Sequence, residues 1–238
     1  MHILSFIFSG VFCVVLESFL LQLCHVSKLD FSYLRLRSKC ENCSHVLRFV
    51  DLIPIFSFIF LKGKCHYCKK NIPFIHLLGE LAAILPVILI YNHLLSLSST
   101  LFVASYLLLL TAALYDIQTY SIPLHFILIM YIVIIVLSNH IFIDQISLII
   151  LLHLLFIFSK SSIGYGDIAI FSLFTLVTPY QFFYLLFCIT FILAGIFSFF
   201  IIRIFKKKIT KVPLIPYIFL SFLCISIFYP ILVRYFYI

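Results

Sequence analysis

The sequence predicts an all-α polytopic membrane protein with about eight transmembrane helices and one small polar loop domain. Hydrophobic residues make up 65% of the chain and charged residues only 10%, and the mean hydropathy is +1.27. A soluble domain with this composition would leave too much apolar surface in water, whereas a bilayer solvates it. The net charge of +8 falls mainly in two loops between apolar runs. It therefore indicates membrane topology, with lipid as a partner and no nucleic acid.

The chain begins with one apolar run followed by a basic insertion. Residues 1–24 are expected to form a retained transmembrane helix, because they contain no basic n-region and no small-residue cleavage site. Residues 25–76 hold nine of the sixteen Lys and Arg residues. Cytoplasmic loops of membrane proteins carry an excess of basic residues, so this insertion is predicted to be a cytoplasmic domain. Residues 77–238 are then a membrane core of seven helices.

Weak polar breaks divide that core. Between residues 77 and 159 there is no Lys or Arg, and four spans are predicted near 77–92, 100–116, 122–138 and 144–159. Residues 167–205 are 39 residues long, about twice the length that crosses a ~30 Å hydrocarbon core at ~1.5 Å per residue. They predict two spans with a break near Pro179. A last span is expected at 213–232.

The two basic clusters constrain the number of spans. The polar insertion follows the first span, and a second cluster follows the seventh, at Arg203, Lys206, Lys207, Lys208 and Lys211. Eight spans put both clusters on one side, as the distribution of basic residues requires. The same parity places Asp116 and Asp167 at that cytoplasmic face. Asp144 falls on the opposite face, where an interfacial helix cap is expected.

Four cysteines of the polar insertion have metal-ligand spacing. Cys40 and Cys43 form one CxxC pair, and Cys65 and Cys68 form a second pair, with 21 residues between the two pairs. This pattern favours one tetrahedral zinc ion on four thiolates, which would let a loop with little hydrophobic core fold. The alternative is a pair of disulfides, but the cytoplasm is reducing and the two-residue spacing suits a disulfide staple poorly. The remaining cysteines lie in apolar spans and are interpreted as packing residues.

Two aspartates are candidate catalytic residues. Asp116 ends an apolar run, and Asp167 follows the glycine-bracketed turn Gly164-Tyr165-Gly166. An ionisable group at membrane depth is a functional hypothesis by default. Two carboxylates that share a proton can activate water and polarise a peptide carbonyl, which predicts an aspartic protease dyad. The simpler interpretation of Asp167 alone is a helix N-cap.

Three further residues are expected to serve this site. Gly164 and Gly166 permit positive φ and a close backbone approach, so an extended substrate could lie beside Asp167. Glu80 lies inside a span, where a carboxylate is costly, and could contact the N-terminal amine of a substrate. The alternative for Glu80 is a snorkelling or internally paired side chain.

These motifs together resemble a known family. In the polar insertion and the following span they are Arg37-Ser38-Lys39-Cys40-Glu41-Asn42-Cys43, Asp51-Leu52-Ile53-Pro54, Lys62-Gly63-Lys64-Cys65-His66-Tyr67-Cys68-Lys69, Ile72-Pro73 and Gly79-Glu80-Leu81. In the core they are Asp116, Ile122-Pro123, Gly164-Tyr165-Gly166-Asp167 and Ile215-Pro216-Tyr217. In order and spacing they are similar to the bacterial type IV prepilin peptidases, and the composition resembles the competence-pilus branch of that family.

The resemblance implies an activity. Such an enzyme is an aspartic endopeptidase of the bacterial cell membrane that removes short basic leaders from prepilin-like or pseudopilin proteins at the cytoplasmic face. Many relatives also methylate the new N-terminus from S-adenosylmethionine. In this chain the resemblance would make Asp116 and Asp167 the catalytic pair.

Two other functions remain open from the sequence. Presenilin and signal-peptide-peptidase proteases also combine a Tyr-Asp pair with a GxGD turn, but their aspartates lie on adjacent spans. Here two predicted spans intervene between Asp116 and Asp167. The third hypothesis is a proton-coupled transporter or scaffold whose aspartates carry protons and whose polar insertion binds a partner.

Overall fold

A computed structural model describes residues 2–26, 37–40, 42–92, 97–158, 163–205 and 211–236. These residues fold into α-helices, two short 3₁₀ helices and connecting turns, with no β-strand among them. The chain forms two compact units, residues 1–88 and residues 89–238. The predicted basic residues Lys206, Lys207 and Lys208 lie outside the described residues.

The first unit contains the first apolar helix and the polar insertion. Helix α1 (His2–Cys24) packs against α3 (Phe74–Ala82), and α2 (Phe56–Phe60) lies in the insertion between them. A short helix α4 (Leu85–Tyr91) follows α3. The predicted second span is thus broken in its middle. Pro86 explains the break, because proline has no amide to donate to the carbonyl four residues earlier and its ring crowds that carbonyl.

The described residues of the second unit form six helices. They are α5 (Ser99–Thr119), α6 (Leu124–Leu137), α7 (Ile146–Phe158), α8 (Tyr165–Val177), α9 (Tyr180–Phe205) and α10 (Ile215–Phe236). Helix α5 packs against α6 and α10, and α8 packs against α6, α7 and α9. The break between α8 and α9 falls at Thr178 and Pro179, where the sequence predicts it. Aromatic rings fill the centre: Phe222 of α10 stacks on Phe102 at 5.8 Å and contacts Phe174 at 5.3 Å between ring centroids.

The predicted membrane class is confirmed by these helices. Four helical segments are long and apolar enough to cross a bilayer: Leu4–Cys24, Phe74–Tyr91 (α3 and α4 taken together), Ser99–Thr119 and Tyr180–Ile204. Four shorter apolar helices stand at the other predicted spans, at Leu124–Leu137, Ile143–Phe158, Tyr165–Val177 and Ile215–Tyr229. Buried threonine hydroxyls in and next to the helices donate to the carbonyl four residues back, as Thr111 does to Leu107 at 2.8 Å and Thr175 does to Phe171 at 2.9 Å. This bonding meets the requirement that polar groups be satisfied internally in an apolar environment.

The predicted topology can be tested with reporter fusions. Proteins truncated after Lys64, Asp144 and Lys207 are fused to a reporter active only inside the cell and, separately, to one active only outside. We expect the inside reporter to work at Lys64 and Lys207 and the outside reporter at Asp144, because eight spans place both basic clusters on one side. Opposite responses at Lys64 and Lys207 would contradict the eight-span topology.

Candidate functional site

Two short turns carry the four predicted metal ligands. In the first turn, the amide of Cys40 donates to the carbonyl of His45 at 2.9 Å, and the amide of Ser44 donates to the carbonyl of Cys40 at 2.8 Å. An antiparallel bridge between Lys39 and Val46 closes this turn. Ser44 has a positive φ of 55°, which lets the chain reverse direction directly after the CxxC pair.

The second turn repeats the first one 25 residues further along the chain. The amide of Cys65 donates to the carbonyl of Lys70 at 2.8 Å, and the amide of Lys69 donates to the carbonyl of Cys65 at 3.1 Å. Lys64 and Asn71 form the equivalent bridge, and Lys69 has the equivalent positive φ of 59°. The two CxxC pairs therefore lie on two separate turns that have the same hydrogen-bond pattern.

The four cysteine sulfurs converge on one point. They all lie within 4.8 Å of one another, and Cys40 Sγ is 3.9 Å from Cys68 Sγ. Four thiolates at the usual Zn–S distance of about 2.3 Å would be separated by about 3.8 Å in a tetrahedron. Amides of Cys43 and Asn42 donate to the sulfur of Cys40 and lower the pKa of that thiol to about 7, which favours the thiolate that binds metal. All eight cysteines are free thiols. The donor set fits a four-coordinate metal centre.

Asp167 lies in the first turn of α8. Its Oδ2 accepts a hydrogen bond from the backbone amide of Gly164 at 3.2 Å. The side chain is half-buried. The positive end of the helix dipole stabilises a carboxylate at this position. Asp167 therefore helps to cap the N-terminus of α8. Whether it can also be catalytic depends on the groups around it.

Asp116 lies in the last turn of α5 and is only 5% exposed. The backbone amide of Ile215, the first residue of α10, donates to its carboxylate. Amides in the first turn of a helix have no acceptor within that helix, so this one is available. The Oδ2 atom of Asp116 is buried and makes no hydrogen bond within the described part of the chain. Such an oxygen is uncommon in a folded protein and marks a candidate reactive group.

The second unit brings these two aspartates to one end. Helix α6 packs against both α5 and α8, and the linker between α5 and α6 contacts the start of α8. The charge of Asp116 acts on Asp167, so the two carboxyl groups lie within electrostatic range. Asp144 lies near the other end of α8, because the amide of Phe142, two residues earlier, donates to the carbonyl of Leu176 at 2.8 Å. The charge state of one carboxyl group therefore affects the other.

The two glycines beside Asp167 do not have the positive φ that the sequence suggests. Neither Gly164 nor Gly166 has a positive φ, and Gly164 has the extended values φ −68° and ψ 143°. Gly166 is required because a β-carbon there would overlap with the Cγ2 methyl of Ile122. A β-carbon at Gly164 would lie 3.0 Å from Oδ2 of Asp167. Both glycines are therefore needed because they lack a side chain, which leaves room for Ile122 and for the carboxylate of Asp167. Neither is needed for a positive φ.

Glu80 lies in α3 and is buried. Its Oε2 accepts a hydrogen bond from the amide of Ile55 at 2.6 Å, and the side chain of Ser18 also bonds to it. Of the two interpretations of Glu80, the structure supplies the internally paired geometry. A contact of Glu80 with the N-terminal amine of a substrate stays a prediction.

Residues 11–94 match the family model of the bacterial peptidase A24 N-terminal domain. The chain carries an A24 peptidase N-terminal domain. This match confirms the resemblance to the type IV prepilin peptidases and indicates a peptidase. The matched A24 segment contains both cysteine turns and Glu80, and it ends before Asp116 and Asp167. Comparisons with curated proteins and with solved structures gave no match.

The sequence motifs contain two residues whose role in the site they do not reveal. Ile122 packs against Gly166, and the amide of Ile215 bonds to Asp116. Each belongs to an Ile-Pro motif of the family resemblance and precedes a proline, Pro123 or Pro216, at a helix start. Proline is common in the first turn of a helix because its missing amide is not needed there. That preference locates helix starts, and it does not reveal which carboxylate the neighbouring amide reaches.

Proposed function

We propose that the protein is an aspartic endopeptidase of the bacterial cell membrane that cleaves the basic leader from type IV prepilin-like proteins at the cytoplasmic face. The observation that carries the proposal is the pair Asp116 and Asp167, which come from opposite helix ends and lie within electrostatic range. The A24 N-terminal domain on the same chain favours this family over presenilin-like proteases. A transporter or scaffold role would leave that domain unexplained.

The two carboxyl groups divide the work of peptide hydrolysis. The ionised carboxylate takes a proton from a water molecule, and the resulting hydroxide adds to the scissile carbonyl carbon. The protonated carboxyl donates a hydrogen bond to the carbonyl oxygen, where negative charge develops. The tetrahedral intermediate then collapses, the C–N bond breaks, and the amine leaves with a proton from a carboxyl group. Water is the only co-reactant.

The surroundings of the pair support this chemistry. Asp116 Oδ2 is buried with no hydrogen bond within the described residues, so it is free to hold the shared proton. Gly164 is exposed and has no side chain, so the backbone of an extended substrate can approach Asp167 closely. The apolar segment that follows a prepilin leader would lie in the bilayer beside the helices.

We propose that Cys40, Cys43, Cys65 and Cys68 hold a structural zinc ion. Zinc supplies four Zn–S bonds that stabilise a fold and no open position for a substrate. The cysteine turns belong to a segment with short helices and few buried side chains, so bonds of this strength would account for its folding. Methylation by S-adenosylmethionine is implied by the resemblance alone, and no described residue is assigned to that cofactor.

Co-expression with a prepilin tests the proposed reaction. The substrate carries a basic leader that ends in glycine before an apolar helix, and mass spectrometry reads its N-terminus. We expect a new N-terminus directly after the leader, and a methylated product would differ from it by the mass of one CH₂ group. An intact leader at all enzyme levels, with both proteins in the membrane fraction, would contradict the proposal.

Gly166 provides a further test of the site. Gly166→Ala should lower leader cleavage about 10- to 100-fold, because the overlap with Ile122 displaces the start of α8 and misplaces Asp167. Gly195→Ala is the matched control, since a β-carbon there meets nothing within 4 Å. Equal cleavage by the two variants would show that the contact between Gly166 and Ile122 does not position the dyad.

A further inference from the structure

The polar insertion carries an exposed apolar face close to α2. Val50 is 70% exposed, Phe56 is 61% exposed and Phe60 is 80% exposed. Together with Ile53, these side chains line one open groove of about 550 Å³. Side chains this large and this exposed, gathered in one place, indicate an interaction surface. We call these four residues the α2 face.

Two contacts locate the α2 face beside the second membrane span. The amide of Ile55 donates to Oε2 of Glu80 at 2.6 Å, and Glu80 lies six residues into α3, about 9 Å along the helix. The ring of Phe58 in α2 contacts the ring of Phe74, the first residue of α3, with 6.3 Å between centroids. The second span begins at Phe74. In a bilayer that this span enters at Phe74, the α2 face would lie where polar headgroups give way to hydrocarbon.

The backbone at Ile55 holds this arrangement. Ile55 has φ 63° and ψ −55°, an unfavourable conformation for a β-branched residue. The amide of Phe56 donates to the carbonyl of Pro54 at 2.6 Å, which closes a tight turn. The bond from Ile55 to Glu80 joins this turn to the membrane helix. The turn separates Ile53 from α2, and both flank the point of attachment.

Charge decides which partner suits the α2 face. The insertion holds nine Lys and Arg residues against three carboxylates. Arg48 lines the groove, and the guanidinium carbon of Arg37 lies 5.4 Å from the ring centre of Phe49. Asp51, the carboxylate in the groove, accepts the amide of Arg48 at 3.1 Å and so caps its own turn. A basic prepilin leader would be repelled here, whereas anionic lipid headgroups are attracted.

We propose that the α2 face is an interfacial membrane anchor that inserts into the headgroup region of an anionic bilayer. Aromatic side chains enter the boundary between headgroups and acyl chains, and neighbouring arginines pair with lipid phosphates. This anchor fixes the depth of the cysteine turns relative to the second span. It is independent of the proposed peptidase activity, because it needs only the position and charge of the insertion.

Tryptophan fluorescence tests the anchor, since the chain contains no Trp. Phe60→Trp is prepared in the full chain and placed in bilayer nanodiscs that contain brominated lipids, with or without phosphatidylglycerol. Asn42→Trp is the matched control, because Asn42 is exposed on the first cysteine turn, outside the groove. Zinc content and trypsin resistance equal to wild type show that each variant is folded.

We expect bromine quenching at position 60 to be at least about threefold stronger than at position 42, with a blue-shifted emission. Removal of phosphatidylglycerol should reduce the quenching at position 60. Equal quenching at both positions, or none at position 60, would overturn the anchor. Equal quenching with and without phosphatidylglycerol would overturn the anionic preference. A blue shift that appears only when a synthetic prepilin peptide is added would assign the groove to a protein partner and also overturn the proposal.

Discussion

Asp116→Asn and Asp167→Asn are each expected to reduce the rate of leader cleavage by at least about 10³-fold, because each removes one of the two proton-transfer groups. The double variant should be no slower than either single variant, since the two residues act as a unit. Wild-type activity should give a bell-shaped pH profile, as one carboxyl must be ionised and the other protonated. Cleavage of a purified prepilin in detergent or nanodiscs provides the measurement.

Asp144→Asn is the matched control for these variants. Asp144 is exposed at the opposite end of α8, so its replacement should leave cleavage within about twofold of wild type. Thermal unfolding of all variants identifies any that fail to fold. Wild-type rates in either Asp116→Asn or Asp167→Asn would rule out the aspartic mechanism.

Loss of the metal ligands is expected to have the second large effect. Wild-type protein prepared without chelator should contain about one zinc ion per chain, and Cys40→Ser or Cys65→Ser should contain less than about a tenth of that. Because the insertion has little core of its own, its unfolding should expose its Lys and Arg residues. Trypsin cleavage in this segment should then accelerate at least about tenfold. Elemental analysis and peptide mapping measure the two quantities.

Cys188→Ser controls for the removal of a thiol. Cys188 lies exposed in α9, far along the chain from the cysteine turns, so zinc content and trypsin cleavage should match wild type. Absence of metal from wild-type protein, or a Cys40–Cys43 disulfide in cells, would contradict the zinc centre. A Cys40→Ser variant that keeps its zinc would show that another residue serves as ligand.

The membrane helices could be predicted because their signal is local. Eight apolar runs appear in the sequence, and apolar helices stand at all eight positions in the described chain. The break at Pro179 could be predicted because residues 167–205 are too long for one span and contain a proline, which interrupts the helix there. The break before Pro86 was missed, although it has the same cause. Residues 77–92 have the length of a single span, so their length gives no reason to expect a break at Pro86, and a hydropathy criterion does not detect a proline.

The site could be predicted less completely than the helices. Charge parity put Asp116 and Asp167 on one face, and the structure brings them within electrostatic range. Parity cannot find Ile122 or Ile215, whose contacts depend on how α6 and α10 pack. It also cannot distinguish a glycine that needs positive φ from Gly166, which needs room for a neighbour. Tertiary packing determines such contacts, and local sequence patterns do not predict it.

The repeat of the two cysteine turns has a consequence for how the protein is assembled. Each turn presents only two sulfurs, so neither one can complete a four-coordinate site alone. During synthesis the first turn is finished well before Cys68 leaves the ribosome, and Phe74 follows Cys68 by only six residues. Zinc capture by the four thiolates would therefore be the last step in folding the insertion, and would come just as the second span begins to enter the bilayer. In a cell short of zinc, membrane insertion of the second span would then be disturbed before peptide hydrolysis at the two aspartates is affected.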